Sequence, residues 1–179
     1  MGLLAFLMAL FIAFPSQVAV SGLSPVVSLP VLIVIVLLGV IFDIIGVSAA
    51  RADSAPINAM ATRRIAGSQQ ALYLTRHAEA VSAICSDVVG DIAGTVAGGA
   101  ALGIAVRLMA VEGPGSDAAG AVSLALVAAL TVGGKAAGKG LALHHSTSVL
   151  MAVGKTIYGI ERVTRIQLLP HRGRNSESR

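Results

Sequence analysis

The stretch MGLLAFLMALFIAFPSQVAVSGLSPVVSLPVLIVIVLLGVIF, Met1–Phe42, contains no charged residue. A bilayer's hydrocarbon core takes roughly 20 consecutive apolar residues to cross as a helix, so this run has room for two crossings. The rest of the chain follows suit. Of 179 residues, 55% are hydrophobic and 12% charged, where a soluble domain carries roughly 25% charged. The mean hydropathy is +0.84. A disordered chain needs low hydrophobicity, and a domain of 18.0 kDa has too little interior to hide this much apolar surface. Spanning segments must satisfy their own backbone hydrogen bonds, and helices do so within themselves. The reading is an all-α integral membrane protein.

About four transmembrane helices and a juxtamembrane amphipathic helix are expected. Met1–Leu23 is the first candidate span, with Pro15 kinking or ending it. A cleaved signal peptide is the alternative, although no Lys or Arg precedes the apolar run. Pro30 is expected to open the second span, Val31–Ala50, because proline suits a first helical turn. A polar stretch, Arg51–Glu79, follows, with short helices expected around Ile57–Ala66 and from Ser68. The third span runs from about Ala80 to Met109. The fourth covers Ala118–Gly134 and continues, weakly polar, to about Gly154. From Lys155 an amphipathic segment reads as a helix on the inner surface, followed by a polar tail.

The net charge is +4, yet the basic residues cluster at Arg51–Arg76 and Lys155–Arg179, beside apolar spans. Aromatics are 3% with no Trp, which disfavours base stacking and a nucleic-acid partner. The lipid bilayer is the expected partner. The charge bias of loops puts both basic segments, and both termini, in the cytoplasm. A plasma (inner) membrane location is expected. The loop with Glu112 and Asp117, which has no Lys or Arg, goes outside. Cys85 is the single cysteine, so no intrachain disulfide can form.

On the third span Asp87, Gly90, Asp91, Gly94 and Gly98 recur at spacings of three and four, which puts them on one helical face. Small residues at such spacing let helices approach closely. Carboxyl groups at membrane depth are costly and normally face a partner or a wet cavity. The second span repeats the pattern with Gly39, Asp43 and Gly46. The fourth repeats it with opposite charge, through Gly134, Lys135, Gly138 and Lys139. The economical arrangement turns these faces together, so that three Asp meet two Lys in a low-dielectric interior. Such a constellation is either a set of structural ion pairs or an ion or proton site. Carboxylates with a hydroxyl, here from Ser86, suit hard cations such as Mg²⁺. His144 and His145 are adjacent and point to different sides, which disfavours a two-His metal site. Gly133–Gly140 lacks the strand and the Gly-Lys-Ser/Thr ending of a phosphate loop. No nucleophile–base–acid arrangement is visible, so the chain is not expected to be an enzyme.

Three stretches resemble the transmembrane domain of the CNNM/CorC magnesium transporter family. Phe42-Asp-Ile-Ile-Gly-Val-Ser-Ala-Ala-Arg-Ala-Asp53 is similar to its first-helix motif, which begins Phe-Ser-Gly and ends in Leu-Asp; Asp43 stands at the serine. Ser86-Asp-Val-Val-Gly-Asp91 is similar to Gly-Asn-x-x-x-Asn, with Asp87 and Asp91 at the asparagines. Gly134-Lys-Ala-Ala-Gly-Lys139 is similar to Gly-Glu-x-x-Pro-Lys, with Lys135 at the glutamate and Gly138 at the proline. The shared order and spacing cover about Val31 to Tyr158. The resemblance implies a homodimer with three core helices per subunit and an inward-opening cavity for dehydrated Mg²⁺. On that basis the divisions are an N-terminal span (1–30), a CNNM-like transmembrane domain (31–158) and a cytoplasmic segment (159–179). Asp43, Asp87, Asp91 and Ser86 are the expected ligands for Mg²⁺ or another divalent cation. Lys135 and Lys139 are the expected internal cations or ion-pair partners. No CBS pair is expected to regulate it in cis.

Overall fold

A computed structural model of the chain describes residues 2, 3, 6, 7, 9–11, 25–109 and 116–164. The described residues are helical with no strand. Helix α1 is Pro25–Arg51, α2 is Ser54–Thr62, α3 is Ser68–Arg76 and α4 is Ala78–Ser82. A π-helical segment, Ala83–Gly90, joins α4 to α5, Asp91–Met109, and α6 is Ser116–Thr164. Three helices are long and apolar enough to cross a membrane: Val27–Arg51, Ala78–Arg107 and Gly120–Thr164. The expected N-terminal span falls largely outside the described residues. Those that are described there are helical, and Ala9 packs against Val88, Ile92 and Val96 of the second crossing.

Several boundaries differ from the sequence expectation. Pro25, not Pro30, opens α1, and Pro30 lies inside it. Pro25 forfeits little, because the first four N–H groups of a helix have no intrahelical acceptor, whereas Pro30, five residues further on, withholds a donor from the Val26 carbonyl. No separate helix begins at Lys155; the amphipathic segment is the continuation of α6, which bends at His145 (φ −127°, ψ 27°). His144 Nδ1 lies 2.8 Å from the Gly140 carbonyl oxygen, and a side chain on that i−4 carbonyl is a local cause of bending.

The three crossings share one apolar core. Leu32, Val36 and Val40 of α1 meet Ala97, Ala101 and Ile104 of α5 and Val127 of α6. The alanines and glycines of α5 bring the backbones close, the packing that replaces hydrophobic drive inside lipid. Outward-facing Leu37, Leu38, Val106, Leu126 and Val132 stay exposed, as lipid-facing positions should.

A second cluster lies at the Arg51 end. Asp53 caps α2 by accepting from the Ala55 N–H at 2.9 Å, which fixes its start. Gly67 opens α3 with φ +81°, a left-handed conformation natural to glycine. There the chain meets Gly154 and Lys155 of α6 backbone to backbone, leaving no room for a side chain. Ile57, Ala71 and Leu74 bury against Leu150 and Met151. Gln70 Nε2 donates to Glu161 Oε2 at 2.6 Å beside this core. The polar linker is thereby docked onto the lower half of α6.

Candidate functional site

Close glycine contacts define how the crossings stack. A Cβ at Gly39 would lie 2.8 Å from the Ala93 Cβ, and one at Gly90 would lie 3.6 Å from both the Asp43 Cβ and the Gly39 carbonyl oxygen. A Cβ at Gly46 would meet the Ser86 N at 3.0 Å. Helix α1 thus runs antiparallel to the second crossing. On its other side, Gly134 faces Val40 and Gly138 faces Ile44, so α1 and α6 run parallel. The small residues anticipated on α1 and α6 do form these seams.

Asp43, Gly90, Asp91, Gly134 and Lys135 consequently occupy one level of the bundle. Lys135 Nζ donates to Asp91 Oδ1 at 2.9 Å, with the Lys135 side chain 22% exposed and that of Asp91 70% exposed. Lys135 Nζ also lies beside Gly94, 3.7 Å from where its Cβ would be. A larger residue there would press on the ammonium. Thr131 completes that wall, its hydroxyl donating to the Val127 carbonyl at 2.8 Å.

Asp43 differs in kind. It is 5% exposed, and its Oδ2 has no hydrogen-bond partner. A buried polar atom left unpaired costs about 1–3 kcal/mol, more when charged. The Ser86 hydroxyl donates to the Asp43 main-chain carbonyl at 3.4 Å, which places the hydroxyl beside the carboxyl-bearing residue. Both belong to a seam in which the second crossing is π-helical. Isolated π-helical turns within α-helices recur at functional sites.

The remaining expected residues are placed apart. Asp87 and Lys139 are exposed, and no ion pair joins them. Among the described residues no three His, Cys, Asp or Glu side chains gather as a metal-binding group. The Gly90–Gly94–Gly98 row is not a single seam either. Gly90 packs on α1, Gly94 faces Lys135, and among the described residues nothing lies within 4 Å of a Cβ at Gly98. His144 and His145 are exposed.

Two features escape the sequence reading. The π-helical segment carries no residue signature that distinguishes it from apolar α-helix. Ser48 is fully buried with its Oγ unpartnered, five residues beyond Asp43; a lone hydroxyl in an apolar run is its only trace. In comparison with known proteins, no family model, no curated protein and no solved structure matches this chain.

Proposed function

We propose that this chain is a small membrane transporter for a hard cation, a divalent ion such as Mg²⁺ being the favoured cargo. One observation carries the reading: the Asp43 carboxyl is enclosed in a membrane-crossing helix with an oxygen that no group among the described residues satisfies. An enclosed carboxylate needs a countercharge or a proton. Asp43, the Ser86 hydroxyl and, at the same level, Asp91 supply oxygen donors of the type hard cations take, with water completing the shell. Lys135 already neutralises Asp91, so an arriving cation competes with a tethered ammonium. Asp87 is left outside this site. The resemblance of the three motifs to CNNM/CorC transporters supports magnesium, a homodimer and an inner-membrane location with cytoplasmic termini. The activity proposed is transport and not catalysis.

The test is ion flux into liposomes holding the purified protein, with Mg²⁺, Mn²⁺, Na⁺ and a pH gradient imposed separately. Flux of one ion that Asp43→Asn abolishes, while the variant still folds, is the expected result. Failure of all four to move overturns the proposal.

The 2.9 Å contact between Lys135 and Asp91 favours a second reading, a non-transporting scaffold locked by ion pairing. In that case Asp91→Lys combined with Lys135→Asp restores the melting temperature that each single change lowers, and no ion moves.

A further inference from the structure

The three crossings touch pairwise at the level of Asp43. Helix α1 meets the second crossing where the Asp43 Cβ lies 3.6 Å from the place of a Cβ at Gly90. The second crossing meets α6 through a closed rung, Lys135 Nζ donating to Asp91 Oδ1 at 2.9 Å. Helix α6 meets α1 where Gly134 faces Val40 and Gly138 faces Ile44. Lys135 lies between those two contacts on α6, and Asp43 lies between them on α1. A ring of contacts therefore holds Asp43, Asp91 and Lys135 in one cross-section.

Two of these groups are acids and one is a base, so the formal charge of the cross-section is −2 + 1 = −1. The base is a fixed part of the site, because the Gly134 and Gly138 seams set its backbone. Its tip has freedom. Lys135 is 22% exposed, and the neighbour of its ammonium is Gly94, whose Cβ would stand 3.7 Å away. The ammonium can leave Asp91 without leaving the level.

Repulsion between a fixed charge and a cation scales with the charge of the cation. A factor by which the Lys135 ammonium weakens a monovalent ion becomes the square of that factor for a divalent ion in the same place. Pairing with Asp91 acts in the same sense, since it cancels an attraction that a divalent ion feels twice over. We propose that Lys135 sets the valence selectivity of this site: it discriminates against divalent relative to monovalent cations, and a cation that binds at Asp91 displaces the ammonium. The inference rests on the reading of Asp43 and Asp91 as cation ligands. A divalent cargo is thereby held loosely, as passage through a site demands.

The test measures apparent dissociation constants of Mg²⁺ and of Na⁺ for the purified full chain, from the rise of melting temperature with cation concentration. Choline chloride holds the ionic strength constant. Lys135→Gln is expected to tighten Mg²⁺ roughly tenfold and Na⁺ roughly threefold. Lys135→Arg, which keeps the charge, and Lys139→Gln, which removes one from an exposed position apart from the rung, are expected to stay near the parent. If the parent binds cations, four results overturn the proposal and leave the transport reading standing: no tightening by Lys135→Gln, equal tightening of both ions, the same tightening from Lys139→Gln, or tightening by Lys135→Arg. If neither the parent nor Lys135→Gln binds Mg²⁺ or Na⁺, both readings fall. Should Lys135→Gln fail to fold, amine labelling of the unaltered chain decides. Mg²⁺ is then expected to raise modification of Lys135 severalfold and to leave Lys139 unchanged, as read by peptide mass spectrometry. Unchanged labelling of Lys135 at saturating Mg²⁺ overturns the proposal.

Discussion

The two members of the closed rung are not equivalent. Lys135 is largely covered, whereas Asp91 is mostly open. Removing a partner costs most when it strands a covered charge. Asp91→Asn strands the covered ammonium, which lies against Gly94. Lys135→Gln strands a carboxylate that can reach water or a headgroup. We therefore expect Asp91→Asn to lower stability by about 1–3 kcal/mol and Lys135→Gln by about 1 kcal/mol or less. Thermal unfolding in a mild detergent measures both; equal losses would show that exposure does not set the cost. Asp43 behaves otherwise: no ion-pair partner among the described residues is stranded by its loss, so Asp43→Asn is expected to leave the melting temperature near that of the parent.

At the scale of the element, glycine does two different jobs on these helices. Gly46 is wedged against the Ser86 backbone and the Cys85 Cβ, and among the described residues no atom lies within 4 Å of a Cβ at Gly98. Gly46→Ala should then cost about 1–3 kcal/mol through overpacking, while Gly98→Ala should be neutral or gain up to about 1 kcal/mol of helix propensity. The same unfolding measurement separates them, and a loss at Gly98 as large as at Gly46 would mean that the open face packs on something else. Sequence spacing located the glycine rows of α1 and α6 because a straight helix keeps residues three and four apart on one face. It misjudged the row of the second crossing for the same reason. The ladder starts in a π-helical segment and crosses into α-helix at Asp91, so Gly90, Gly94 and Gly98 meet different surroundings. That an Asp of the second crossing would meet a Lys of α6 was legible, because complementary charges in apolar helices have few alternatives; that the pair is Asp91 with Lys135 was not. The burial of Asp43 and the exposure of Asp87 were not, since both are single aspartates in apolar helices and only the tertiary packing distinguishes them.

For the whole molecule, the ends of the bundle differ sharply in charge. Arg51, Arg63, Arg64, Arg76, Lys155 and Arg162 are exposed at the end where α2 and α3 dock on α6. Asp117 stands exposed at the other end, near the start of α6. The bias of basic loops towards the cytoplasm predicts that this end faces inward, where anionic headgroups are worth about 1 kcal/mol for each Lys or Arg near the surface. The docked linker concentrates these charges on one face, which strengthens the bias beyond what the loop's length alone provides. Orientation can be measured residue by residue. With Cys85 replaced by alanine, Arg64→Cys and Ala118→Cys each offer one exposed thiol, at opposite ends of the three crossings. A membrane-impermeant maleimide should modify Ala118→Cys in intact cells and leave Arg64→Cys untouched. In inside-out vesicles the pattern should reverse. Inverted labelling would reverse the orientation while leaving the bundle intact. Modification of both positions from one side would break the three-crossing path itself, and with it the common depth shared by Asp43, Asp91 and Lys135.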